Sequence, residues 1–297
     1  MADTKIWVGT DTGNEGDINT AANWSPSGVP EAGDDVYFEN SSQSVTDGLD
    51  ALAAVTLGSL TIAQSFTGAI GTASAYLQAA ASVVTIGRHS GPGSPTGSGR
   101  LMLDLRSVQT AVTIHNSGTS LDTNKPPIRI INTHASSVLT VRKGKVGIAA
   151  NSTGETSQLA TINVAYDTSK DADAEVYIGS GVTLATLNQT GGKVQLNCAA
   201  TTVNTEGGTL LTEGSGAIGT INAYAGTLTL NSTGTITTLN IVRGGTAKVD
   251  FSKSPAARTV TTVKLEVGGE LAYDVDAITI TNKVASDNPV RLKASNI

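Results

Sequence analysis

A chain of 297 residues can hold one large domain or two small ones and bury a substantial core. Its net charge of −6, with 19 scattered basic residues, excludes the clustered Lys and Arg that nucleic acid demands. With 15% charged residues and apolar residues recurring throughout, disorder is excluded too, and one cysteine, Cys198, excludes a disulfide framework within the chain.

The 33 glycines, set among Thr, Ser, Val, Ala and Asn, favour extended structure with frequent turns. β-Branched side chains suit pleated surfaces, and Gly interrupts helices. No apolar run approaches the roughly 20 residues that cross a bilayer, so no membrane partner is expected. The opening Met1-Ala2-Asp3-Thr4-Lys5-Ile6-Trp7 lacks the apolar stretch of a secretory signal, and the expectation is a soluble protein made in the cytoplasm.

Residues 1–50 read as an N-terminal cap or attachment region. They hold both tryptophans, Trp7 and Trp24, and the acidic pair Asp34-Asp35, which are the candidate attachment residues. An open stack of strands exposes unpaired backbone and needs such a cap. Residues 51–137 read as irregular β rungs. Val55–Ile62, Val83–Ile86, Leu101–Leu105 and Val112–Ile114 alternate and are β-branched, and the Gly/Pro/Ser-rich loop at 88–99 is an excursion or a contact loop.

Residues 138–297 repeat. Thr161-Ile162-Asn163, Thr186-Leu187-Asn188, Thr202-Val203-Asn204, Thr220-Ile221-Asn222 and Thr238-Leu239-Asn240 share one pattern, with Thr262-Val263-Lys264 and Val138-Leu139-Thr140 as imperfect copies. Glycine corners follow, ending at Gly192, Gly208, Gly226, Gly245 and Gly269, with steps of 16, 18, 19 and 24 residues. The longest step holds a polar loop at 252–258. A sandwich has no reason to repeat one triplet and one corner at this period, whereas a stack of coils does. The predicted fold is therefore all-β, a parallel β-helix or β-solenoid with an irregular N-terminal cap. About eight to ten rungs at roughly 4.8 Å each would make a rod on the order of 40–50 Å long.

Two readings of the recurrent asparagines stand side by side. Asn163, Asn188, Asn204, Asn222 and Asn240 form an amide ladder along the stack, or they face solvent beside inward aliphatic residues. Neither implies chemistry. His89, His115 and His134 lack ligand spacing, and Cys198 reads as a small core residue. Acidic groups that could pair for glycan hydrolysis or hold calcium are Asp34-Asp35, Asp171/Asp173/Glu175 and Glu206/Glu213. With aromatics at 4% and nearly absent from the regular rungs, hydrolysis on the rungs is disfavoured. No catalytic residue, metal or cofactor is expected.

Trp7-Val8-Gly9, Asn23-Trp24-Ser25, Val29-Pro30 and Gly33-Asp34-Asp35-Val36 resemble the opening of β-solenoid surface modules. Such modules occur in bacterial autotransporter-like adhesins and in proteins of tailed-bacteriophage genomes. With the Thr-rich rungs, the chain is more similar to the phage group. That resemblance implies a structural component of the virion surface, a capsid decoration or head fibre contacting the major capsid protein or another virion protein. A homotrimer is implied by likeness to other phage spikes. The alternatives are a glycan-binding tail spike and a bacterial surface adhesin.

Overall fold

The computed structural model describes residues 2–72, 74–88, 100–115, 128–150, 154–165, 174–242, 245–251, 257–285 and 292–294. Among the described residues almost all regular structure is β, and every strand pairing but one is parallel. The chain is a β-solenoid. Equivalent segments of successive coils stack, so each strand hydrogen-bonds to the coils before and after it.

Three ladders define three faces. The first comprises segments 4–6, 35–38, 59–62, 83–86, 111–114, 138–141, 161–164, 186–189, 202–205, 220–223, 238–241, 262–265 and 282–285. The second passes through Val45, Ile70, Leu101, Ile128, Val146, Val176, Val194, Leu210, Leu228, Val249 and Leu271. The third runs through Leu159, Leu184, Ala200, Ile218, Ile236, Val260 and Ile280.

The thirteen segments of the first face exceed the eight to ten rungs expected from the repeat. Twelve steps of roughly 4.8 Å give a stack about 58 Å long. The difference lies in the first half, where rungs without the Thr–aliphatic–Asn pattern are nonetheless in register. Residues 4–6 and 35–38 already belong to the ladder, and it continues across 50/51 and 137/138. The cap, the irregular rungs and the regular rungs are one stack.

Alternation builds the core. On the first face Val36, Leu60, Val84, Val112, Leu139, Ile162, Leu187, Val203, Ile221, Leu239 and Val263 align and are all buried. Fully burying each such side chain stabilises the fold by about 1.5–3 kcal/mol relative to exposure. Two residues further along each strand the inward column reads Phe38, Ile62, Ile86, Ile114, Val141, Val164, then Gln189, Thr205 and Ala223, then Ile241 and Leu265. Gln189 is tolerated inside because its Nε2 donates to the carbonyls of Gly191, Gly192 and Thr209 at 3.2, 3.2 and 3.0 Å. It ties the first strand of its rung to the corner that follows, while its Oε1 is buried with no partner among the described residues.

That corner needs glycine for two reasons. Gly192, Gly208 and Gly226 have φ of +64°, +77° and +94°. A Cβ at each would also lie 2.3, 2.3 and 2.6 Å from a carbonyl oxygen of the preceding rung, namely Ala174, Gly192 and Gly208. The last two corners are built differently. In the last corner the positive φ, +105°, belongs to Gly268. Gly245 and Gly269 are confined by contact instead, since their Cβ positions would meet Tyr224 O at 2.0 Å and Ile241 Cγ2 at 2.1 Å.

The N-terminal end is built differently. Trp24–Ser25 pairs antiparallel with the opening strand Thr4–Trp7, covering its outer edge. Below it Trp7, Trp24, Phe38 and Phe66 pack with ring centroids 5.3 to 6.0 Å apart, edge to face except for the tilted Trp7–Phe38 pair. Both indole N–H groups are satisfied, Trp7 Nε1 by Gln43 O at 3.0 Å and Trp24 Nε1 by Ile18 O at 2.9 Å. Fully buried Asn23 donates to Asn14 O and Asp17 O and accepts from the Asp11 N–H, pinning the loop that closes the cap.

Candidate functional site

The asparagines resolve the two sequence readings by satisfying both. They alternate with buried aliphatic residues and so stand on the outer side of the first face, half-buried. There they form a continuous amide ladder. Asn188 donates to Asn163, Asn204 to Asn188, Asn222 to Asn204 and Asn240 to Asn222, each Nδ2 to Oδ1 at 2.8 or 2.9 Å. At its N-terminal end Asn163 Nδ2 donates to Thr140 Oγ1 at 3.3 Å. The same column continues upward as Thr113, Thr85 and Thr61. Amides committed to one another in this way make a structural spine with little left to offer a ligand.

The attachment candidates are corrected by burial. Trp7 is 0% exposed, Trp24 2% and Asp34 4%, so their side chains hold the cap together and present no contact surface. Asp34 accepts from the Asp3 N–H at 2.8 Å and the Glu31 N–H at 2.9 Å. Burial pushes its pKa up, but those bonds and nearby Lys5 outweigh it, and the net shift is downward. Half-buried Asp35 accepts the Ser59 hydroxyl at 2.5 Å.

The other acidic candidates do not converge. Glu206 precedes the Gly207-Gly208 corner and Glu213 follows the 209–212 segment, so a whole strand of the second face separates them. Glu213 accepts from Gln195 Nε2 at 2.7 Å. Glu175 pairs with Lys145 at 3.5 Å. Asp171 and Asp173, like His89, nearly all of the 88–99 loop and most of the 252–258 loop, lie outside the described residues. Among the described residues no three His, Cys, Asp or Glu side chains cluster as metal ligands. His134 Nδ1 accepts from the Ser136 N–H at 3.2 Å. The Cys198 thiol is buried, and burial pushes its pKa up to about 12, which removes the thiolate that reactivity needs. No helix of the described residues is long and apolar enough to cross a membrane.

What the sequence did not flag is a hollow of about 430 Å³ on the second face. Its walls are two outward columns. One runs Arg129, Gly147, Tyr177, Gln195, Leu211, and the other runs Lys145, Glu175, Lys193, Thr209. The residues come from five rungs, and no motif marks them. The readable signal is weaker: alternate, non-aliphatic positions of each strand that follows a corner, such as Lys193 and Gln195.

Taken together, the described chain is a capped, parallel β-solenoid with a polar amide spine on one face and a charged hollow on another. No family model matches this sequence, and neither a curated protein nor a solved structure matches it.

Proposed function

We propose that this chain is a non-catalytic structural rod on the exterior of a tailed-phage virion, a capsid decoration or head fibre. The supporting observation is the uninterrupted thirteen-segment ladder with its N-terminal end closed by an antiparallel strand and an aromatic plug. A stack of this kind is rigid and extended, and each rung contacts only its neighbours. Asp34, Asp35, Glu206 and Glu213, weighed as hydrolytic pairs, are either structural or apart, which supports a role without catalysis. The opening motifs resembling phage surface modules give the assignment its location. On this reading the partners are the major capsid protein or another virion protein, the rods associate as a homotrimer, and the protein is made in the host cytoplasm.

Mass spectrometry of purified particles tests the reading, with cryo-electron microscopy to place the rod. The protein is expected at fixed stoichiometry with the capsid protein, and its absence from purified virions overturns the proposal. A second reading, a receptor-contacting tail spike, is favoured by the hollow on the second face.

A further inference from the structure

We infer that the hollow on the second face is a binding groove for an acidic oligosaccharide lying along the solenoid axis. The inference rests on the groove alone and holds wherever the protein resides. The shape comes first. From Arg129 to Leu211 the lining spans five rungs, four steps of roughly 4.8 Å, or about 19 Å along the stack. Its long axis runs across the strands, following the columns of outward side chains. A linear chain of several sugar rings fits a trough of that length, whereas a compact cofactor does not.

The chemistry of the walls points the same way. Tyr177 is 36% exposed, and its hydroxyl accepts a hydrogen bond from Asn197 Nδ2 at 2.8 Å, which holds the ring in place over the trough. An anchored aromatic face receives the apolar face of a pyranose ring. Gln195 stands next in the same column, its Nε2 held by Glu213 at 2.7 Å, and Leu211 extends the apolar surface. Polar groups few in number and set around an apolar patch are the usual composition of a small-molecule site.

Charge selects an acidic sugar over a neutral one. The lining holds three cations, Arg129, Lys145 and Lys193, against one carboxylate, Glu175, in a chain whose net charge is −6. Glu175 is satisfied by Lys145 at 3.5 Å. Lys193, beside it on the next rung, makes no ion pair among the described residues. Arg129 stands on the opposite wall, its side chain hydrogen-bonded to Tyr76. Lys193 and Arg129 lie on opposite walls, three steps or about 14 Å apart along the stack, where carboxylate or sulfate groups of non-adjacent sugars would meet them in charge-assisted hydrogen bonds. A nucleic-acid strand is the less suitable polyanion, because the cations do not extend along the rod beyond these rungs as a continuous basic track.

Titration calorimetry of the purified chain against galacturonate oligomers and sulfated dextran oligomers tests this, with neutral dextran and polyphosphate as comparators. Saturable binding to at least one acidic oligosaccharide is expected, weakening with salt, with no binding to dextran. Tyr177→Ala and the double change Lys145→Gln/Lys193→Gln should each lower affinity by about ten-fold or more. Lys248→Gln, on the same outward column two rungs beyond Thr209, should leave it unchanged. Thermal melts of each variant separate loss of binding from loss of fold. No binding to either acidic oligosaccharide overturns the inference. So does equal binding of polyphosphate with no response to Tyr177→Ala, since that is polyanion attraction without sugar recognition. Either result leaves presence in virions to be decided separately, because no particle enters the measurement.

Discussion

The two halves of this solenoid solve the same stacking problem with different material. On the first face Val36, Leu60, Val84, Val112, Leu139, Ile162 and Leu187 stand 24, 24, 28, 27, 23 and 25 residues apart. Leu187, Val203, Ile221 and Leu239 stand 16, 18 and 18 apart. The later rungs approach the shortest circuit three faces allow, turn on glycine and carry an asparagine ladder. The earlier rungs have residues to spare for loops, and their N-terminal end is plugged with aromatic rings. Where the chain makes its tightest coils, order comes from repeated backbone geometry and stacked amides. Where it coils loosely, order comes from large buried side chains.

This contrast predicts where damage spreads. Trp7→Ala removes a fully buried ring of the cap and should cost about 3–5 kcal/mol. Because stability in a stack is a sum over rungs and their interfaces, the loss should stay local. Hydrogen exchange should report lost protection at 4–7, 35–38 and 59–62 with little change over 186–241. Loss of protection along the whole rod would mean that the cap nucleates the stack, and the two halves would not be independent.

Gly208→Ala strikes the other half. It forces a side chain into φ +77° and places a Cβ 2.3 Å from Gly192 O, inside any tolerated contact. The left-handed conformation alone costs about 1–2 kcal/mol, and displacing the rung above adds to it, so a loss of about 2–3 kcal/mol is expected. A denaturant melt with exchange protection lost first around 190–230 would confirm it. A neutral result would show that the rung spacing there yields, against the tight-coil account.

The ladder allows a sharper comparison within one column. Asn204→Ala leaves Asn188 Oδ1 and Asn222 Nδ2 without their partners on a half-buried face and should cost about 1–2 kcal/mol. Thr85 occupies the same column five rungs earlier, in the half without an amide ladder. Thr85→Ala should fall within about 0.5 kcal/mol, as ordinary surface changes do. Equal costs would mean that the amides act merely as outward polar groups.

The parts legible in the sequence were those where the physics repeats. The triplet Thr–aliphatic–Asn carries both an inward and an outward column, so five copies are enough to place the strands and the ladder. The corner at Gly192, Gly208 and Gly226 was visible because two constraints leave no other residue. The first half hid its rungs: Thr61, Thr85 and Thr113 share a column, but intervals of 24 and 28 residues leave no fixed spacing to detect. The cap tryptophans were noticed and misplaced, since an aromatic residue in a terminal segment suits a plug as well as a contact surface. The groove was invisible because Arg129, Lys145, Tyr177 and Lys193 differ in type and come from four separate rungs, with no motif to mark them.

The ladder's C-terminal end offers a gain of stability. Asn240 donates to Asn222, yet its own Oδ1 is buried with no hydrogen-bond partner among the described residues. The next residue in the column is Lys264, which is exposed and sits in register with Asn240. A lysine ammonium at the end of four rotatable bonds is drawn toward water, so it leaves that acceptor unmet. Lys264→Asn would place an amide of the same length and geometry at the site where each earlier rung carries one, with Nδ2 positioned to donate to Asn240. A neutral intramolecular hydrogen bond contributes about 0.5–1.5 kcal/mol, and the exposed lysine gives up little in leaving. The expected result is a gain of about 0.5–1 kcal/mol in a denaturant melt, with added exchange protection at 238–241 and 262–265. In an Asn240→Ala background the same substitution should give no gain, since the acceptor it completes is gone; a gain there would assign the effect to removing the lysine charge.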